Sequence, residues 1–461
     1  MGQRIQTRRD LSGWVARPRL GLAVVFAALS CLAAVPGAEG GLAAAKAVAH
    51  ASTDGTCSSR QSQVARQRCQ IRAARRHRGG ERFAQGNVSP ASQVSASATN
   101  AAPSATPVVP GSPPGEAVSE AVSVGGSSCT ATSFAAGFGS FSSRSQPSGC
   151  WRPYASSSPF NTPVGPSAEA TPGSAQQVAR LLSGGAISHF VAGDTAKDFG
   201  TAVYYPSQTD PTYTIHCTEA WGRCDLEGQQ IHLPEGATPS GVWPIGNGDS
   251  DSHLTVVDQA SGWEYDLWNV RSIESGRIVV KWGGKTRIDG EGLDSDAVAA
   301  RFGSLGGIIR PQELQSGVID HALALTIPCT AGFVAPATKG GLECGEAGMS
   351  SANSLPMGAH LQLQLSSAQI QAMNVPTWKK AILQALSTYG AYVEDTTGDA
   401  SQWGLKWESA ASQTSVGGSD GFVALAKSLD MQPEDYNGNG QSEYWFDIAS
   451  GVDWSQLRVI S

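Results

Sequence analysis

The side chains best suited to chemistry gather in one stretch, Asp249-Ser-Asp251-Ser-His253-Leu-Thr-Val-Val-Asp258-Gln-Ala-Ser-Gly262-Trp263-Glu264-Tyr-Asp266-Leu-Trp268-Asn269. Two β-type runs flank a glycine-containing turn, which predicts a hairpin. Two-residue alternation then puts Glu264, Asp266 and Trp268 on one face of the second strand. Carboxyl groups deliver or accept protons and an aromatic face stacks on a sugar ring, so this face has the make-up of a polysaccharide site. The same pattern also fits a solvent face with one tryptophan. Asp266 and Glu264 are the acid or nucleophile candidates. His253 and Asp258 are the base or orienting candidates, His253 because imidazole titrates near ~6.5. A histidine at a strand end is also a common hydrogen-bonding residue.

A second cluster runs Gly306-Gly-Ile-Ile-Arg310-Pro311-Gln-Glu313-Leu-Gln-Ser-Gly317-Val-Ile-Asp320-His321-Ala-Leu-Ala-Leu325. A helical turn ending at Gly317 should feed a strand over Ile319 to Ile327. His321 there shares a face with leucines, as a satisfied core histidine does and as a catalytic histidine on a cleft floor would. Arg310 is a substrate-binding candidate. In Met357-Gly-Ala-His360-Leu-Gln362-Leu-Gln364-Leu365, alternation puts Gln362 and Gln364 on a polar face that fits a carbohydrate groove or plain surface.

Asp435-Tyr-Asn437-Gly-Asn439-Gly440 matches the start of a Ca2+ loop, with oxygen ligands at positions one, three and five and glycine at six. Position twelve is Phe446 where a bidentate glutamate belongs, so Asp435, Asn437 and Asn439 form at most a weakened structural site. No HExxH helix, P-loop or CxxC pair occurs, which argues against a metallopeptidase, a nucleotide hydrolase or a zinc site.

These clusters must be carried by strands. Short β-type runs bounded by Gly, Pro, Asp or Ser include Thr201 to Tyr205, Tyr213 to Cys217, Gln230 to Leu233, His253 to Asp258, Glu264 to Arg271, Arg277 to Trp282, His360 to Leu365 and Gly390 to Asp395. Helical spacing of apolar residues marks Ser174 to Ser183, Thr377 to Tyr389 and Phe422 to Leu429. The pattern predicts a mainly-β fold, a β-sandwich or jelly roll with a few peripheral helices.

Residues 1–40 have a signal-peptide layout, with five arginines ahead of an apolar run from Leu20 to Val35. That run is shorter than a spanning helix needs, so no integral membrane span is expected after cleavage. Residues 41–128 are basic and then rich in Ala, Ser and Pro, with too little apolar area to fold, and are expected to form a linker. A single β-rich domain is expected over 129–461. Beyond residue 82 the chain carries 18 basic against 35 acidic residues, a balance that repels phosphate backbones and disfavours nucleic acid. With Cys31 removed, eight cysteines remain, suited to an oxidising compartment. Loop-closure cost favours the pairs 57–69, 129–150, 217–224 and 329–344.

The segments His253 to Trp268, Gly306 to Leu325, Pro356 to Leu365 and Tyr389 to Asp395 resemble a broad set of exported bacterial proteins of unassigned function. The landmarks are Val-Val-Asp, Glu-Tyr-Asp-Leu-Trp, Arg-x-x-Glu-Leu-x-x-Gly-x-Ile-Asp-His-Ala-Leu, Met-Gly and Tyr-Gly-x-x-Val-x-Asp. This resemblance implies membership over roughly residues 200 to 410 and no particular activity.

The resulting expectation is a secreted or wall-associated protein whose partner is an extracellular polysaccharide. As an enzyme it would be a glycoside hydrolase, or a polysaccharide lyase if Arg271, Arg310 or Lys281 lines the cleft. The alternative is a non-catalytic glycan binder. Contact among His253, Asp266 and His321 in a cleft would favour the enzyme, and their dispersal beside a Trp-lined face would favour binding.

Overall fold

The computed structural model describes residues 132–194, 198–244, 251–436, 438 and 440–461. The expected signal peptide and linker, Cys57, Cys69, Cys129, Asp249, Asn437 and Asn439 lie outside these residues.

Among the described residues thirteen strands form three sheets, with six short helices at their margins, so the mainly-β expectation with peripheral helices holds. Among the described residues no helix is long and apolar enough to cross a membrane. The first sheet has six strands in the order β2 (Thr201–Tyr204), β5 (His253–Asp258), β6 (Trp263–Glu274), β7 (Arg277–Arg287), β3 (Thr212–Cys217) and β4 (Gln230–His232). The second has five, in the order β11 (Gly404–Leu405), β8 (Leu323–Ile327), β10 (Ala391–Thr396), β9 (His360–Leu363) and β13 (Leu457–Ile460). Strands β1 (Phe190–Ala192) and β12 (Tyr444–Phe446) pair separately. Both larger sheets are mixed: β2 with β5, β3 with β7 and β8 with β10 run parallel, and their other pairs are antiparallel.

The predicted hairpin is β5–β6, paired from Leu254 with Leu267 to Asp258 with Trp263. Asp258 closes its turn, accepting hydrogen bonds from the backbone N–H groups of Ala260 and Ser261 and from the Ser261 hydroxyl. Alternation divides the six-stranded sheet between two cores. Leu254, Val256, Tyr265 and Leu267 point into a smaller cluster with Ile215, Ile278 and Val280, whereas Val203 and Val257 join a larger one. Each such aliphatic side chain, fully buried, contributes about 1.5–3 kcal/mol.

Helix α1 (Ser174–Ser183) and helix α4 (Thr377–Thr388) sit where apolar periodicity places them. In α4, Trp378, Ala381, Ile382, Ala385 and Leu386 form the buried face. Pro376 precedes α4, and Gly390 follows it with φ at 76°. A Cβ at Gly390 would lie 2.5 Å from the Leu361 carbonyl, so only glycine lets the chain turn there into β10. Helix α2 (Pro311–Ser316) ends at Gly317 as expected. The strand expected from Ile319 instead begins at Leu323, because His321 is held by hydrogen bonds to α2 rather than by a ladder. Helices α3 (Ser367–Ala372), α5 (Ala411–Thr414) and α6 (Gly421–Ser428) complete the set.

Disulfides join Cys217 to Cys224 and Cys329 to Cys344, as short loop closure favours. Cys150 is also disulfide-bonded.

Candidate functional site

Glu264 and Asp266 share a face of β6 and are fully buried, at 0% exposure each. Donors surround them. Tyr154 gives its hydroxyl proton to Glu264 at 2.7 Å, and the Leu305 N–H donates to the same carboxyl at 3.0 Å. Asp266 accepts from the hydroxyls of Thr255 at 2.7 Å and Ser295 at 2.6 Å and from the Ser304 N–H. Gly303 permits this: a Cβ there would lie 2.3 Å from the Tyr154 oxygen. Burial, reinforced by the charge of Asp266, holds the Glu264 carboxyl well above the usual range, and the two side chains hydrogen-bond to each other. Two ionised carboxylates have no donor between them, so Glu264 keeps its proton. The pair lies beneath the surface, where it ties β5 and β6 to the Leu293–Leu305 segment.

Trp268 follows them in unbroken register with β7, Asp266 opposite Gly284 and Trp268 opposite Trp282, as alternation expects. Beyond it Asn269 adopts φ of 55° and a bulge interrupts the ladder between Val270 and Ser272. Trp268 packs against the smaller core, 5.7 Å from Trp221 between ring centroids.

Arg310 and His321 also belong to the interior. Arg310 reaches Glu313 through Nη2 at 2.6 Å, and Glu313 lies 3.0 Å from His321 Nε2. All three are at most 3% exposed. Burial raises the Glu313 pKa, but the charges of Arg310 and His321 and their hydrogen bonds outweigh it and leave the carboxyl below its ordinary value. Gln362 donates to the Ser387 carbonyl and accepts from Arg458, bracing β9 against β13, and Gln364 is exposed. Asp435 accepts from the Gly440 N–H, as the first residue of a Ca2+-type loop would. Among the described residues no group of three or more His, Cys, Asp or Glu side chains is placed to hold a metal ion.

No protein-family model, curated protein or solved structure matches this chain.

The accessible chemistry lies elsewhere, along a line of contacts between the two disulfide-closed loops. The loop closed by Cys217–Cys224 presents Trp221, 62% exposed. Its ring stands 5.7 Å from Trp268 and 5.7 Å from Trp282, which face each other across the β6–β7 ladder. Lys281 Nζ lies 5.5 Å from the Trp268 ring centre and 3.9 Å from Glu219. Asp251, just before β5, is exposed, and its backbone carbonyl accepts from the Asn269 N–H at 2.9 Å. Asp251 is close enough to Asp395 for its charge to raise that carboxyl. Asp395 is half-buried and caps the Thr396 N–H, while the Thr396 hydroxyl accepts from the Leu342 N–H. Leu342, with Phe333 and Val334, is an exposed apolar residue of the loop closed by Cys329–Cys344.

Beneath Asp395, a bulge in β10 between Val393 and Asp395 leaves Glu394 out of the β8 register. Glu394 forms a buried ion pair with Lys406, at 3.1 Å. Burial outweighs that cation and pushes Glu394 up to about 7, and burial together with Asp251 pushes Asp395 up to about 6. His253, 7% exposed, is pushed down to about 3 by burial and the charge of Lys406, so it is neutral. Its Nδ1 and the Thr201 hydroxyl are buried without a hydrogen-bond partner. These two residues pair directly in the parallel β2–β5 ladder, so both side chains project from the same face.

The sequence reading identified His253 and Trp268 but not Trp221, Asp251, Glu394, Asp395 or Lys406 as functional. Asp251 stood inside the singled-out stretch, and Trp221 inside a short cysteine-bounded loop. Those were the local signals.

The raised carboxyls have a consequence for stability. Glu264 is pushed well above its ordinary range, Glu394 and Glu408 up to about 7, and Asp198 and Asp395 up to about 6, burial being the largest cause in each. Unfolded, these groups lose their protons near pH ~4 to 4.5. Between there and about 7 the folded protein holds more protons, so their contribution falls as pH rises. The midpoint of thermal unfolding should be highest near pH ~5 and fall by several degrees towards pH ~7.5, with Glu408→Gln flattening the slope. Calorimetry across that range is the check, and a midpoint rising with pH contradicts it.

Proposed function

We propose that the β-rich domain is an exported glycan-binding domain. The chain of sugar residues lies along the surface line from Trp221 past Asp251 and Asp395 to the Phe333–Leu342 loop. The observation that carries the reading is Trp221: a large indole held in solvent on a short disulfide-closed loop, its ring packed against Trp268 and Trp282. Braced aromatic faces suit apolar sugar faces, and nearby carboxylates suit hydroxyl donors. Pre-ordering the loop reduces the entropy lost on binding. His253, Asp266 and His321 have separate sets of partners, and a Trp-lined face is present, the arrangement that favours binding. The two disulfides support an extracellular location.

Retention of the full chain on immobilised laminarin, xylan, alginate, chitosan and peptidoglycan tests the reading. At least one polymer should retain it, and soluble polymer of the same kind should elute it. Retention by none sinks the proposal. Cys217→Ser with Cys224→Ser should leave the unfolding transition cooperative but weaken retention several-fold, because the loop must then be ordered by the ligand. Undiminished retention would show that the loop's closure is immaterial.

A further inference from the structure

The link from β2 to β3 ends in Asp210–Pro211, and the bond between these two residues is held from both sides. The Asp210 carbonyl accepts from His232 Nδ1 at 2.8 Å, and the Pro211 carbonyl accepts from the Leu233 N–H at 3.0 Å. A carbonyl oxygen only accepts, so Nδ1 carries the proton. Strand β4 brings both donors, because its antiparallel pairing with β3 sets His232 opposite Thr212. Towards β2, the Asp210 N–H donates to the Ser207 carbonyl at 3.2 Å. Asp210 Oδ2 accepts from the Ser207 N–H at 2.6 Å and from its hydroxyl at 3.1 Å. Among the described residues, only Oδ1 of the Asp210 polar atoms is left without a donor. Ser207, Gln208, Thr209 and Pro211 are exposed and Asp210 is half-buried, so water reaches the bond.

We propose that the folded chain cleaves itself between Asp210 and Pro211, with the Asp210 carboxylate as nucleophile and His232 as the donor to the developing oxyanion. This activity is independent of the glycan-binding reading. A carboxylate one methylene from its own carbonyl reaches that carbon through a five-membered ring, an attack whose two partners are already held together. Proline provides the leaving group, a tertiary amide nitrogen that departs as a ring amine.

Asp210 Oδ1 bonds to the Asp210 carbonyl carbon, and the carbonyl electron pair moves onto the oxygen that faces His232. As that pair returns, the bond from carbon to the Pro211 nitrogen breaks, and the nitrogen takes its electron pair and a proton from solvent. A cyclic anhydride is left on Asp210. Water adds to it and opens it to two carboxyl groups, so one water is consumed in all. His232 touches the reacting oxygen and is therefore catalytic, whereas Ser207 is a positioning residue that fixes the carboxylate. The two pieces should remain one folded particle. Across the cut, β2 stays paired with β5, Tyr154 stays bonded to Glu264, and the Val459 N–H stays bonded to the Ser174 hydroxyl.

The test follows the full chain at neutral pH by intact mass and by the amino-terminal sequence of any new fragment. The native protein should yield a fragment starting Pro-Thr-Tyr-Thr, the two masses should exceed the parent by one water, and gel filtration should show them eluting together. Asp210→Ala should stay whole, and His232→Ala should slow cleavage about 100- to 1,000-fold. The same bond in urea-unfolded chain should break at least about 100-fold more slowly, since His232 is then no longer placed. A native chain that stays whole overturns the proposal, as does equal cleavage of folded and unfolded chain. Cleavage of Asp210→Ala at this position would assign the cut to a protease and overturn it too. Should His232→Ala fail to fold, the comparison of folded with unfolded native chain decides.

Discussion

Trp221→Ala should weaken glycan retention about 30-fold, a loss of ~2 kcal/mol, without lowering the unfolding midpoint. The size follows from its position. A tryptophan at the centre of a recognition face carries a disproportionate share of the binding energy, because its large surface is desolvated with few rotors to freeze. Trp221 presents 62% of its surface to solvent in the free protein, so its truncation removes little packing from the fold. Trp282 is only 6% exposed and contributes to the smaller core, so Trp282→Ala should lower both retention and stability. The contrast separates a binding role from a structural one. Isothermal titration with oligosaccharides of the retained polymer measures the first, and urea denaturation the second. A Trp221→Ala protein that binds with native affinity would remove the observation on which the proposed function rests.

Arg310→Met should reduce the free energy of unfolding by about 3–5 kcal/mol while leaving glycan affinity unchanged in the folded fraction. Arg310 is 2% exposed and donates to Glu313, to the Ser148 carbonyl and to the Trp151 carbonyl, with its guanidinium 5.2 Å from the Trp151 ring centre. It therefore pins the segment before β1 to helix α2. Removing the cation leaves the Glu313 carboxylate buried with only His321 opposite it, and an uncompensated buried charge costs far more than a surface pair. Adding Glu313→Gln to Arg310→Met should recover part of the loss, since the stranded charge goes with it. Equilibrium urea unfolding of the single and double variants is the measurement. A change below about 1 kcal/mol for Arg310→Met would mean that the triad stabilises little.

Buried Arg310 and His321 clarify why chemistry-bearing residues are hard to sort by type alone. The same helix-to-strand segment reads as a substrate-binding arginine and a cleft histidine, or as a buried ion network. Glu313 decides between them, by lying between Arg310 and His321 at hydrogen-bonding distance of both. Likewise, Gln362 has the alternation of a groove residue, yet its amide is taken up by Arg458 and Ser387, residues from distant parts of the chain.

Local order was legible from the residues. Apolar alternation located β5 and the hairpin to β6, helical spacing located α1 and α4, Gly317 ended α2, and short loops paired Cys217 with Cys224 and Cys329 with Cys344. These are consequences of backbone geometry over a few residues, and a single chain segment contains all the information they need. Three things required the tertiary structure. Burial of Glu264 and Asp266 depends on Tyr154, Ser295 and Leu305, which arrive from outside the hairpin. The packing of Trp268 against Trp221 depends on the disulfide-closed loop that carries Trp221. The candidate site joins Trp221, Asp251, Asp395 and Lys406 from both larger sheets and their loops, brought together only when the sheets close over their shared core. Periodicity tells a side chain which way to point, but which groups it meets there is set by packing between segments far apart in the chain.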